Sequence, residues 1–306
     1  MNDDRPRHPS STPDWVRQGR GIGPSVRWRF TTEAPLTGLQ LARETGEVLV
    51  GDEIGSLYRI DRRGEYSAVT RIRAAIQEIA FSDDGQFAAA LAADTQVHRF
   101  NRQLQTVWRL DLPEQCLQVA IDPYGQYIAV SLADGGNLVF DAQKRRVAGF
   151  ATIRPLKHLL FLTTQARLVG AAEHGLLCCH SLSGECLWEE KLWSNVGRLT
   201  ATGGGELIYL AGLNHGVQTY DGSGLPIGSY IVEGTVNRIA SSYDPHRLIA
   251  STVEKHLYWL DADGELLWAS VTPESVTQLS CDPFGEWAVC GFEDGQVVCL
   301  DWSRGA

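Results

Sequence analysis

The chain has no long apolar run, no basic tract, no paired-cysteine motif and no sustained helical periodicity, and each lack removes a class of protein. Nothing approaches the roughly eighteen apolar residues needed to cross a bilayer as a helix. The N-terminus, MNDDRPRHPSSTPDW, has acidic residues and prolines where a secretory signal needs a basic region and then an apolar one. The compartment expected from these two lacks is the cytoplasm, with no membrane contact. The net charge is −10, and the densest basic cluster, QKRR at Gln143 to Arg146, follows a strand signal and reads as a solvated turn. Phosphate backbones need a concentrated basic face, so no nucleic acid is expected as a partner. The seven cysteines (Cys116, Cys178, Cys179, Cys186, Cys281, Cys290 and Cys299) are odd in number and show no C-x-x-C spacing, which leaves reduced, buried thiols and no metal site. No segment holds apolar spacing at a period of about 3.6 residues for three turns, so helix is not the organising element.

What is present is a repeat. A polar residue closes an apolar run at Asp61, Asn101, Asp141, Ser181, Asp221, Asp261 and Asp301, each 40 residues after the last. Fifteen residues past each anchor stand Ile76, Cys116, Leu156, Val196, Val236 and Val276; eighteen past stand Ile79, Val119, Leu159, Leu199, Ile239 and Leu279. Both columns are apolar throughout. Turns rich in Gly and Asp (SDDGQ, DPYGQ, DPFGE, then AADT, LADGG, FEDGQ) separate the apolar runs, and a third turn after the anchor (SLSGECLW, DADGELLW) leads into a further run. Four strands in about 40 residues, seven times over, predict an all-β, seven-bladed β-propeller.

The last repeat stops at LDWSRGA, with a third strand and no fourth. Trp108, Trp188 and Trp268 stand seven residues past their anchors, and the lattice extended backward from Asp61 puts Trp28 of SVRWRF at the same offset. Residues near Ser25 to Thr32 are therefore expected to supply the missing strand and close the ring. The domain reading is a single propeller over residues 21–306 behind a disordered polar tail over 1–20.

The segments IQEIAFSDDGQFAAALAADTQVHRFN and VTQLSCDPFGEWAVCGFEDGQVVCLDW resemble the WD-repeat propellers, and the likeness runs from about residue 25 to 306. The Gly-His pair and the Trp before the closing Asp of that family are absent from every repeat, so Asp94, Asp134 and Asp294, at its turn-Asp position, read as turn formers. SLSGECLW and DADGELLW also resemble the Gly-x-x-x-Trp segment of quinoprotein-type propellers, whose enzyme members bind pyrroloquinoline quinone beside adjacent cysteines. Cys178 and Cys179 lie inside a third strand, where neighbours face opposite sides, and read as core; no cofactor is expected.

Enzyme signatures are thin. GRGIGP at Gly19 to Pro24 lacks the strand, helix and Lys of a phosphate loop, GGG at Gly203 to Gly205 is a turn, and Glu173–His174 lacks a second His. With Asp94, Asp134, Asn214, Glu254 and Asp294, Glu173–His174 forms a mostly acidic ring of turns on one rim. The column seventeen past each anchor is more informative: Gly38, Glu78, Gln118, His158, Arg198, Arg238 and Gln278 set polar groups between two apolar columns, at the start of the strand nearest the channel. These residues are expected either to bind at the channel mouth or to form a buried polar network. Trp193 in KLWSNV, a segment joining two blades, is either an exposed anchor or tucked against a neighbour, and Arg71, Arg73 and Arg154 occupy comparable segments. The WD-repeat resemblance implies a non-enzymatic protein-interaction scaffold using Glu78, Gln118, His158, Trp193, Arg198, Arg238 and Gln278. The alternatives are a channel enzyme of lactonase or quinoprotein type, holding a small ligand or a metal, and a structural subunit buried at its blade edges.

Overall fold

A computed structural model describes residues 12–303. Seven antiparallel sheets follow one another around a ring, and their strands run from the channel outward in chain order. Blade 1 is Leu36–Leu41, Val48–Asp52, Ser56–Ile60 and Tyr66–Arg71; each later blade begins 40 residues on, down to blade 7 at Val276–Cys281, Trp287–Phe292 and Gln296–Asp301. The fourth strand of blade 7 is Ser25–Thr31, antiparallel to Gln296–Asp301, with Val26 opposite Leu300 and Phe30 opposite Val297. The ring thus closes as the sequence predicted. The strand Leu36–Leu41 lies beside both Ile76–Phe81 and Val276–Cys281, so first strands line the channel all the way round.

The anchors have a local physical cause. Asp61 Oδ1 accepts the backbone N–H groups of Arg63 and Glu65 at 2.8 and 3.0 Å, Asp221 those of Ser223 and Leu225, and Asp261 those of Asp263 and Glu265. A short side-chain acceptor at this point closes the turn between third and fourth strands, which is why the column admits only Asp, Asn and Ser. The two apolar columns three residues apart have a different cause. Strict alternation would put them on opposite faces, but in six blades the pairing of first and second strands skips the residue between offsets fifteen and seventeen, and in blade 5 it skips both Gly197 and Arg198. This β-bulge turns both columns toward the blade interface and frees offset seventeen to face the channel.

Seven apolar clusters, one at each junction between successive blades, form the core. A latch on the outer rim reinforces them. Trp108 Nε1 donates to Ala142 O of the next blade at 3.0 Å, Trp188 Nε1 to Gly222 O at 3.1 Å, and the Tyr230 hydroxyl to Ala262 O at 2.6 Å. Gly224, at φ +84°, lies against the Trp188 ring, where an added Cβ would sit 2.5 Å from Cε3; Gly64 meets Trp28 in the same way. Gly184 and Gly264, the glycines of the quinoprotein-like segments, likewise lie against Phe150 and Tyr230 of the preceding blades and serve blade-to-blade packing. Cys178 and Cys179 are buried in the third strand of blade 4, as expected of core residues, with their thiols pushed up by burial to about 12 and about 11.

One junction departs from the others. Trp268 of blade 6 is buried, but its Nε1 has no hydrogen-bond partner, and its ring meets Trp302 and Trp15. The expectation of disorder over residues 1–20 is corrected here for its second part, while residues 1–11 lie outside the described residues. Asp14–Arg17 form a helical turn that buries Val16 in the cluster between blades 6 and 7. Arg20–Gly21 then add a short fifth strand to the rim of blade 6, and Ile22 O accepts from Trp302 Nε1 at 3.1 Å. Burying Trp15 and Val16 gives this strap its apolar grip.

Candidate functional site

The two ends of the channel are built differently. The front face carries the starts of the first strands and the loops joining blades; the back face carries the turns between first and second strands. On the back face, neighbouring turns are tied by main chain: Glu44 N to Asp83 O at 2.9 Å, Asp84 N to Pro123 O at 3.2 Å, Thr163 N to Gly203 O at 2.8 Å, Gly203 N to Tyr243 O at 2.8 Å and Tyr243 N to Pro283 O at 2.9 Å. Three side chains from blades 1, 2 and 4 meet there. Arg43 Nε is 3.9 Å from Asp83 Oδ1, Thr163 Oγ1 donates to Asp83 Oδ2 at 3.3 Å, and Arg43 Nη1 donates to Thr163 Oγ1 at 3.3 Å. Burial raises the Asp83 carboxyl, and Arg43 and Thr163 oppose that rise. Sequence reading took these positions as turns only. Nothing in a repeat signals that residues 40 and 80 apart will touch across a channel.

On the front face, main chain ties two pairs of blades, Cys116 N to Asp94 O at 2.7 Å and Val196 N to Glu173 O at 2.9 Å, and offset-seventeen side chains add further ties. Gln278 Nε2 donates to Thr37 O of blade 1 at 3.0 Å, and His158 Nε2 faces Val196 O of blade 5 at 3.3 Å. Arg238 donates Nε to Thr277 O at 2.6 Å and Nη1 to Asn237 O at 2.8 Å and Gly197 O at 3.4 Å. Gln118 Nε2 donates to Val119 O at 3.2 Å. Gly38 makes room for Ile79, whose Cγ1 would lie 2.6 Å from an added Cβ. The network expected as one of two roles for this column is therefore present for Gln278, His158 and Arg238.

The network is incomplete. Arg198 lines the channel with no hydrogen bond and no ion pair among the described residues, while Gln118 Oε1 and His158 Nδ1 are buried without a partner. Because His158 Nε2 faces a carbonyl it carries the proton, which leaves Nδ1 as an acceptor. Desolvation, together with the charges of Arg198, Arg238 and Lys157, presses His158 down to about 3, so the ring is neutral near neutral pH. Desolvation raises the Glu78 carboxyl against the opposing pull of Arg198, Lys157 and Arg238. A cavity of about 160 Å³ runs along the channel, lined by Gln118, His158 and Arg198 toward the front, by mostly small residues at offset nineteen, among them Ala80, Ala120, Ala240 and Ser280, and by Arg43, Asp83 and Thr163 at the back.

Trp193 lies outside this cluster. It is 78 % exposed on the loop between blades 4 and 5, with Lys191 Nζ 4.4 Å from its ring centroid, which decides between the two positions expected for it. Ile153, 76 % exposed, and Ile231, 80 % exposed, stand on the loops before and after. The acidic turns behave as turn formers: Asp134 Oδ1 accepts from Gly136 N at 2.8 Å and Asp294 Oδ1 from Gln296 N at 3.1 Å. Among the described residues no group of three or more His, Cys, Asp and Glu side chains is placed to hold a metal ion, and no helix is long and apolar enough to cross a membrane.

The molecule is thus a seven-bladed β-propeller closed by its N-terminal strand. Among solved structures it is similar to the β-propeller domain of Cps50 (Swd1) from Myceliophteria thermophila, with a TM-score of 0.79 at 14% identity over 91% of this chain and 99% of that one. At that identity the likeness speaks for the fold. No protein-family model matches the sequence. No curated protein matches it either.

Proposed function

We propose that the protein is a non-enzymatic scaffold of the cytoplasm whose front face docks a protein partner. The observation that carries the reading is Trp193, an aromatic side chain held out to solvent on a blade-joining loop between two further exposed apolar tips, Ile153 and Ile231. A large aromatic that does nothing for its own fold is the residue type that dominates binding energy at interfaces, and apolar neighbours exclude water around it. The mouth residues Glu78, Gln118, His158, Arg198, Arg238 and Gln278 sit at the centre of the same face, with Arg73 and Arg154 on the loops. The WD-repeat fold, a common platform for such contacts, supports the reading by analogy.

The test is recovery of the tagged chain from its native cells, followed by native mass spectrometry, for the wild type and for Trp193→Ala combined with Ile231→Ser. The expected result is a stoichiometric protein companion that the double variant loses at unchanged thermal stability. A companion retained by the variant removes this face from the reading. A monomer without companion removes the reading itself.

A further inference from the structure

The front mouth of the channel holds more polar capacity than the fold uses. Arg238 and Gln278 are spent on carbonyls of neighbouring blades. Arg198 is not: it projects from the bulge of blade 5, where the ladder skips Gly197 and Arg198 together, and has no hydrogen bond or ion pair among the described residues. On the adjoining blades 3 and 4, Gln118 is 4 % exposed and His158 9 % exposed, and each keeps one polar atom, Oε1 and Nδ1, without a partner. A buried polar group left unpaired costs about 1–3 kcal/mol, so the two buried acceptors, beside the half-buried and unbonded Arg198, point to a guest that satisfies them.

The chemistry of the three groups specifies the guest. A guanidinium with all its donors idle takes a carboxylate in a two-point contact. Gln118 Oε1 and the His158 Nδ1 lone pair both accept, so they need a hydroxyl or ammonium. The cavity of about 160 Å³ gives the size. At about 30 Å³ of liquid volume per water it admits about five waters, equivalent to a molecule of about six or seven non-hydrogen atoms. The small side chains of Ala80, Ala120, Ala240 and Ser280 keep that space empty, where Leu or Phe would fill it.

We infer that the channel mouth binds a small hydroxy- or amino-carboxylic acid, its carboxylate on Arg198 and its hydroxyl or ammonium on His158 Nδ1 and Gln118 Oε1. Glu78, close to both Gln118 and Arg198, favours an ammonium over a second carboxylate in the site. The site is independent of the apolar tips proposed above to dock a protein, and Trp193 makes no part of it.

Calorimetric titration of the purified chain with L-lactate, L-serine, acetate and inorganic phosphate tests the assignment. L-lactate or L-serine is expected to bind one to one with a dissociation constant below about 1 mM, with acetate at least tenfold weaker for lack of the second group. Arg198→Ala should weaken binding thirtyfold or more and Ala240→Leu should abolish it, while Trp193→Ala leaves it unchanged. Partner recovery scored on the same Arg198→Ala and Trp193→Ala proteins keeps a failure of this site distinct from a failure of the docking face. Absence of binding by both L-lactate and L-serine overturns the inference. So does binding that survives Arg198→Ala, or phosphate binding as tight as that of either acid. Should Ala240→Leu fail to fold, Arg198→Ala decides alone.

Discussion

The back end of the channel is fastened chiefly by main chain and the front end more by side chains, and the two columns of residues differ accordingly. At the back, Arg43, Asp83, Pro123, Thr163, Gly203, Tyr243 and Pro283 share an offset and almost no chemistry, because their carbonyls and N–H groups make the ties. At the front, the offset-seventeen column is polar wherever it has a side chain, because side chains make the ties. A ring therefore tolerates almost any residue at one end and constrains it at the other. Polar groups that exceed the fastening, Arg198 above all, can be recognised only at the constrained end.

The largest expected effect comes from breaking the ring that both ends share. Removing residues through Thr32 deletes the fourth strand of blade 7 and bares two edges, so calorimetry should show loss of cooperative unfolding. Removal through Gly23 strips only the strap and its buried Val16 and should cost about 2–4 kcal/mol with cooperativity kept. Equal behaviour of the two truncations would contradict the closure.

Next in size is the rim latch. Gly224→Ala drives a Cβ into the Trp188 ring at a positive φ and should cost about 2–4 kcal/mol in denaturant unfolding. Gly228→Ala, in the open rim strand of the same blade with only the Thr219 hydroxyl 3.9 Å from an added Cβ, should be near neutral.

Acid titration sharpens the contrast between the ends. The His158 ring is held neutral down to about 3, against about 6.5 for the unfolded chain. The unfolded state therefore binds a proton between those values that the native state refuses. This contribution is intact above about pH 6.5 and is lost as pH falls toward 3, by at most about 5 kcal/mol. Glu78, raised by desolvation, works in the opposite sense, since its ionisation on raising the pH weighs against the folded state. His158→Gln keeps a donor for Val196 O and should shift the acid unfolding midpoint downward; an unchanged midpoint would show that His158 gains its proton without unfolding.

The smallest effects compare single side chains at the two ends. Asp83→Ala leaves Arg43 without its ion-pair partner and should cost about 1–2 kcal/mol, damped because Arg43 is partly solvated. Arg198→Ala removes a cation that repels Arg238 but attracts Glu78 and that bonds to nothing described, so thermal stability should change little.

The lattice was legible because one hydrogen-bonding geometry, the Asp61-type turn, recurs every 40 residues and forces a short acceptor each time. The closing strand was legible because Trp28 keeps the offset of Trp188 and fills the same glycine-floored slot. The bulge could be read only indirectly, from two apolar columns an odd number of residues apart. The strap was missed because it follows no repeat: only Trp15 and Val16 in a polar segment hinted that it packs. The clasp of Arg43, Asp83 and Thr163 left no trace, since its contacts cross the ring and its positions carry no common residue type. At the front, polarity at offset seventeen was legible, but the division into used and idle groups was not, because it depends on which neighbouring carbonyl each side chain reaches.

The most direct test of the central claim, that the front face carries surplus groups the fold does not need, is paired thermal unfolding and native mass spectrometry of Trp193→Ala and Arg198→Ala. The account predicts unfolding temperatures within about 2 °C of wild type for both, with the protein companion lost in the first and the small acid lost in the second. A clear fall in stability with companion and acid both retained would make these side chains structural and contradict it.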